Sequence, residues 1–230
     1  MASIGANTWI WTSPLSDERL ASLAPHVRRL GFDVIELPVE SVGDWDPGRA
    51  AELLAEQRLG ASICSAMPPG RDLLTDAEEV AATQDFLRRC VDSAERIGAS
   101  VVGGPLYSAV GRTWLLEPDE RPATIGRLTE ALRPVVDYAG EHCVKLALEP
   151  LNRYETSLIT TAEQGLEVVE AVGSPALGLL LDTYHMNIEE KSPADAIRMA
   201  GRHLSTFMLR PAIAARPAPI MSIGRGSRRR

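Results

Sequence analysis

Two carboxylates in this 230-residue chain stand where chemistry would be expected. Glu149 closes the apolar run 144–148, and Asp182 closes the apolar run 177–181. A carboxylate at the end of a strand buried in a sheet has left part of its water, and must be paired, protonated or metal-bound. His185 follows Asp182 by three residues, in the stretch DTYHMN at 182–187. Two carboxylates on neighbouring strands with an imidazole close by make a pattern that suits a hard divalent cation. The same carboxylates also suit caps of the loops or helices that follow them. His185 taken alone reads as a hydrogen-bonded loop residue, and its place after a strand makes it a candidate to bind substrate. Glu155 lies in the polar loop 152–156, where Arg153 is a ready surface partner. Trp9, Trp11, Tyr107 and Trp114 fall at or after strand ends. They suit a wall against the C–H face of a sugar, or the cover of a loop or dimer interface. Gly103-Gly104-Pro105 reads as a close backbone approach and not a phosphate loop, since no Gly-Lys-Ser/Thr follows.

These residues need a scaffold, and the apolar pattern supplies one. Short apolar runs predict strands over 4–10, 34–37, 61–65, 100–102, 144–148, 177–181 and 204–209. Pro38 is expected to stop the second strand, and Gly103-Gly104-Pro105 to break the fourth. Amphipathic segments predict helices over 17–30, 47–58, 76–97, 121–141, 161–172 and 192–200, with Gly31, Gly98 and Gly173 behind three of them and Pro134 inside one. A βα unit repeated in this way allows a doubly wound sheet or a (β/α)8 TIM barrel. The first turn lacks GxGxxG, and Glu36, Glu149 and Asp182 lie toward strand C-terminal ends, where a barrel keeps its chemistry. The chain has room for seven strands and predicts no eighth unit, so the expected fold is α/β, an incomplete barrel over residues 1–204.

Charge divides the sequence. Net charge is -7 overall, but residues 1–204 hold 18 basic and 31 acidic residues, net -13, while residues 205–230 hold six arginines and no acid. So acidic a body disfavours nucleic acid as a partner. No stretch reaches the roughly 18 apolar residues that span a bilayer, and residues 1–9 lack a basic n-region and a long apolar h-region. The three cysteines, at 64, 90 and 143, have spacings that suit neither a zinc knuckle nor a disulfide framework. A reducing cytoplasm is the expected compartment, with no membrane partner.

At five stretches the chain resembles the ketose 3-epimerases, the D-tagatose and D-allulose 3-epimerase group of xylose-isomerase-like TIM barrels. They are TWIWTSP at 8–14, CSAMPP at 64–69, GPLYSAVG at 104–111, EPLNRYET at 149–156 and LDTYHMNIEE at 181–190. The resemblance covers about residues 4–204. It implies metal-dependent C3 epimerisation of a free ketohexose through a cis-enediolate. It also implies a divalent metal (manganese, or cobalt or magnesium) held by Glu149, Asp182, a strand-seven histidine and a strand-eight glutamate. Glu149 is implied as a catalytic base, His185 and Glu155 as contacts to substrate oxygens near the carbonyl, and Cys64 and Trp114 as walls of the sugar pocket. A homodimer or homotetramer is usual in the group. Alternatives are a hydroxypyruvate or other sugar (or sugar-phosphate) isomerase of the same superfamily, and a non-catalytic remnant.

The departure from the pattern is sharp and local. Met208 stands where the resemblance places the metal histidine, and Ala214 where it places an arginine. A thioether is a poor ligand for a hard cation. A one-base frameshift near Ser205 is the expected origin of residues 205–230. Read one nucleotide earlier, the codons for Thr206-Phe207-Met208 permit His-Phe-His, and those near 220–224 permit His-Val-Asp-Trp. With no eighth unit, the first and seventh strands are expected to be open edges, favouring poor solubility or unusual oligomers.

Overall fold

The computed structural model describes residues 3–114 and 116–209. Seven parallel strands lie in sequence order, β1 (Gly5–Asn7), β2 (Val34–Val39), β3 (Gly60–Ser65), β4 (Val101–Gly104), β5 (Lys145–Leu148), β6 (Leu177–Asp182) and β7 (Leu204–Met208). Between them run α1 (Asp17–Arg29), α2 (Pro47–Gln57), α3 (Ala77–Ile97), α4 (Arg121–Glu141), α5 (Ala162–Val172), α6 (Thr183–Glu189) and α7 (Pro193–Ala200). Each strand pairs only with its sequence neighbours among the described residues, so the sheet is an open, unclosed (β/α) barrel with β1 and β7 at its edges. The expected positions 214 and 220–224 lie outside the described residues, as does all of the chain from 210 onward.

Helix ends follow local chemistry. Ser16, Asp46, Asp76, Thr161 and Ser192 each accept a backbone N–H of the first turn through the side chain, which satisfies donors the helix cannot satisfy itself. Glu78 and Glu79 in the first turn of α3 complement the helix dipole. The apolar faces of these helices pack on the outside of the sheet, and all six residues of β6 are buried.

The structure corrects three expected boundaries. The first strand ends at Asn7, whose side chain accepts the Trp9 N–H at 2.8 Å and starts a short 3-10 helix, Thr8–Ile10. Pro38 does not stop β2, which runs on to Val39. β1 has already ended opposite Glu36, so on that side β2 is an edge at Pro38, where proline is tolerated. Gly103 and Gly104 belong to β4 instead of breaking it. A Cβ on Gly103 would stand 2.6 Å from Leu180 Cδ1, and one on Gly104, at φ +136°, 2.7 Å from the Ser65 carbonyl. The glycines let two neighbours close in; they do not end the strand.

Register fixes what faces the barrel interior. Asn7, Glu36 and Ser62 stand side by side, and Glu36 accepts from both, at 2.7 Å and 3.2 Å. Cys64 stands beside Gly103, Gly103 beside Ala147, and Ala147 beside Gly178. Side chains alternate along a strand, so Glu149, Leu180 and Asp182 share this face. Leu180 reaches across β5 to cover Gly103, which requires the sheet to curl.

Candidate metal centre

β5 and β6 run side by side, Leu148 opposite Leu179, and deliver Glu149 and Asp182 to the same end of the sheet. The Glu149 N–H still donates to the Gly104 carbonyl at 2.9 Å, so its backbone is held by the ladder as if β5 went one residue further. Asp182 is the last residue of β6 and also the N-cap of α6, its Oδ1 accepting the Tyr184 N–H at 2.8 Å. The capping role weighed for this carboxylate is therefore present, and it uses one oxygen of two. Helix α6 is an element that the apolar pattern does not predict. Asp182 before a polar-apolar heptapeptide was the signal available, and it brings His185 back over the strand ends.

One ligand atom each from Glu149, Asp182 and His185 lie within 4.8 Å of one another. The three residues are only 5%, 1% and 5% exposed. Two ionised carboxylates at that separation repel by about 3 kcal/mol or more at an effective dielectric of ~20. A cation between them turns this repulsion into attraction. Carboxylate oxygens are the hard donors a divalent cation takes, so Glu149 and Asp182 fit a divalent-metal site, with the His185 imidazole beside them.

His185 Nε2 stands 3.7 Å from Glu149 Oε1. Its Nδ1 faces Asn152, whose backbone N–H donates to it at 3.0 Å and whose side-chain nitrogen lies 2.9 Å away. Asn152 Nδ2 also donates to Glu155 Oε1 at 2.7 Å, so Glu155, half-buried, is tied to the same hub. Arg153 does not pair with Glu155. Its Nε and Nη2 donate to the two oxygens of Glu189 at 2.8 and 3.0 Å, and its backbone N–H adds a third bond at 2.7 Å. Burial alone would raise the Glu189 carboxyl, but hydrogen bonds and charge from Arg153 outweigh it and hold it below the ordinary carboxylate range. Asn152 and the Arg153–Glu189 clamp were not singled out from sequence. A buried asparagine three residues after a strand-end glutamate was the visible trace.

The remaining expected site residues are spread more widely. Cys64 is buried on β3, on the face shared with Gly103. Trp114 is half-buried, with the Arg112 guanidinium 4.2 Å from its ring centre. It lines a cavity of about 500 Å³ with Leu74, Arg112, Leu116 and the first turn of α4; that lining does not include Glu149, Asp182 or His185. Arg112 pairs with buried Asp72 at 2.6 Å, and Gly111 N–H donates to the Glu155 carbonyl at 2.7 Å, which lays this loop against the loop after β5. Of the aromatic wall, Tyr107 is wholly buried and donates its hydroxyl to the Ile159 carbonyl, which makes it core. Trp9 donates to Glu40, and Trp11 meets His26 of α1 edge to face. Met208 pairs with Asp182 in register, so a thioether stands on β7 across from this carboxylate. No helix among the described residues is long and apolar enough to cross a membrane.

Comparison with known proteins agrees with this fold. The family model of the xylose isomerase-like TIM barrel matches residues 25–214. A ketose 3-epimerase from Arthrobacter globiformis is 34% identical over 188 residues, covering 81% of this chain and 64% of the relative. An L-ribulose 3-epimerase from Mesorhizobium japonicum is 35% identical over 201 residues, covering 87% and 67%. The solved structure of an L-ribulose 3-epimerase superposes with a TM-score of 0.84 at 32% identity, over 92% of this chain and 71% of that one. D-allulose 3-epimerase from Methylomonas sp. in complex with D-allulose gives 0.84 at 27% identity, over 91% and 72%. The chain thus spans about two thirds of the length of the curated relatives it matches.

Proposed function

Because the chain belongs to the xylose-isomerase-like TIM barrels, and within them to the ketose 3-epimerases, we propose that it carries one face of a metal-dependent site for C3 epimerisation of a ketose. The observation that carries the reading is the buried Glu149–Asp182 pair at the C-terminal ends of β5 and β6, with His185 beside it.

Glu149 and Asp182 would hold the cation, manganese in the first instance and otherwise cobalt or magnesium. When bound, it supplies Lewis-acid polarisation of the ketose oxygens. Glu149 is the base that takes or returns the C3 proton, since its carboxylate is buried, oriented by the β4 ladder and next to His185. His185 and Glu155 hold substrate oxygens near the carbonyl, in an orientation set by Asn152. Cys64 belongs to the wall of the sugar site on the β3 side, and Trp114 to the loop after β4 that leans on the Glu155 loop.

The test is a substrate panel with added manganese: D-fructose, D-psicose, D-tagatose and L-ribulose against hydroxypyruvate and ketose phosphates. Interconversion at C3 of a free ketose supports the proposal. Turnover of hydroxypyruvate or of a phosphate alone, or of nothing, refutes it for this chain.

A further inference from the structure

Resting on that reading of the site, we propose that the backbone N–H of Asn152 fixes which nitrogen of His185 carries the hydrogen. A backbone N–H can only donate. The Asn152 N–H points at His185 Nδ1 at 3.0 Å, so Nδ1 must offer its lone pair. A neutral imidazole with an accepting Nδ1 carries its hydrogen on Nε2. Nε2 is the nitrogen that faces Glu149, at 3.7 Å.

The consequence separates the roles within the three-residue cluster. Nε2–H has no lone pair to give a cation, and the Nδ1 lone pair is directed at Asn152. His185 is thereby set as a hydrogen-bond donor toward the reacting oxygens, and Glu149 and Asp182 remain as cation ligands. Every polar atom of Asn152 is engaged in holding this state. Nδ2 bridges His185 Nδ1 and Glu155 Oε1, Oδ1 accepts the Tyr154 N–H at 3.0 Å, and the carbonyl accepts from Glu155 and Thr156. Asn152 is 1% exposed, so water does not compete for these bonds. Arg153 and Glu189 hold the two segments together, one from the loop after β5 and one from the end of α6.

The experiment is imidazole nitrogen NMR on the chain labelled with 15N-histidine, without metal or substrate. The sequence has four histidines, and His185 is assigned from the signals missing in His185→Gln. Wild type should show a pyrrole-type Nε2 and a pyridine-type Nδ1. Asn152→Ala should keep that pattern, because the backbone donor is untouched. A wild-type His185 with its hydrogen on Nδ1 overturns the proposal, and so does an Asn152→Ala spectrum in which the hydrogen has moved to Nδ1. The readout needs no turnover, so a chain that epimerises nothing can still pass, and an active one can still fail.

Discussion

Gly103 and Leu180 give the most quantitative check on how the interior is built. The Gly103 φ falls outside the left-handed region, so alanine fits the backbone there, and only the Leu180 methyl at 2.6 Å from the new Cβ opposes it. Overpacking of this kind costs about 1–3 kcal/mol. Loss of glycine freedom in the unfolded chain returns about 0.4–1 kcal/mol. Gly103→Ala should therefore destabilise by up to about 2.6 kcal/mol. At the ~2–4 °C per kcal/mol expected for a domain of this size, that is a fall of up to about 10 °C in Tm. Leu180→Ala alone removes a wholly buried side chain and should cost about 2–5 kcal/mol. In the double variant the opposing methyl is gone, and Gly103→Ala should turn neutral or slightly stabilising, leaving a coupling of about 1–3 kcal/mol. Urea melts of the four proteins, each followed by near- and far-UV circular dichroism, measure it. Additive effects within about 0.5 kcal/mol would refute the reasoning, because Leu180 would then not reach β4 and the sheet would not curl as described.

Other expectations follow from named contacts. Asp182→Asn keeps an N-cap for α6 and removes one of two repelling charges, so calorimetry should show manganese binding lost with the metal-free Tm unchanged or raised, whereas Asp182→Ala should be about 1 kcal/mol less stable than Asp182→Asn. Asp72 accepts from the Leu74 and Ala109 N–H groups and pairs with Arg112 while 1% exposed. Asp72→Ala should cost about 1–3 kcal/mol in denaturant melts, because two backbone N–H groups lose their acceptor and the part-exposed Arg112 its partner. Glu189 has a depressed folded-state pKa, so its clamp stabilises fully above the ordinary value of 4.5 and loses that contribution as pH falls through the lower folded value. A Tm profile from pH 6 downward should therefore fall more steeply below 4.5 in wild type than in Arg153→Ala; parallel profiles would count against the clamp.

Much of the scaffold was legible because strands and helices here have distinct periods and clear punctuation. The apolar run at 177–181 and the glycines at 31, 98 and 173 behind three helices left little freedom. What misled was backbone context. Pro38 reads as a strand stop only until β1 is known to end opposite Glu36, and Gly103 reads as a break until Leu180 is known to cross β5. Glu149 and Asp182 were visible as carboxylates closing apolar runs, since burial in a sheet is predictable from such runs. The Asn152 hub was not, because it joins residues 33 positions apart across a loop and a helix that local pattern did not predict. The composition change at Ser205 coincides with a shift of register, since Leu179 pairs with Leu204 but Leu180 with Thr206, and β7 then continues to Met208 opposite Asp182.

The central claim is that Glu149 exchanges the C3 proton of a ketose beside a cation held with Asp182. Incubation of D-fructose or L-ribulose with the chain and manganese in deuterated water, followed by proton NMR, reads this directly. Deuterium should enter at C3, and exchange should fall by at least about 100-fold in Glu149→Gln, within the range for loss of a general base. Exchange confined to C1, or equal exchange in Glu149→Gln, would contradict the account.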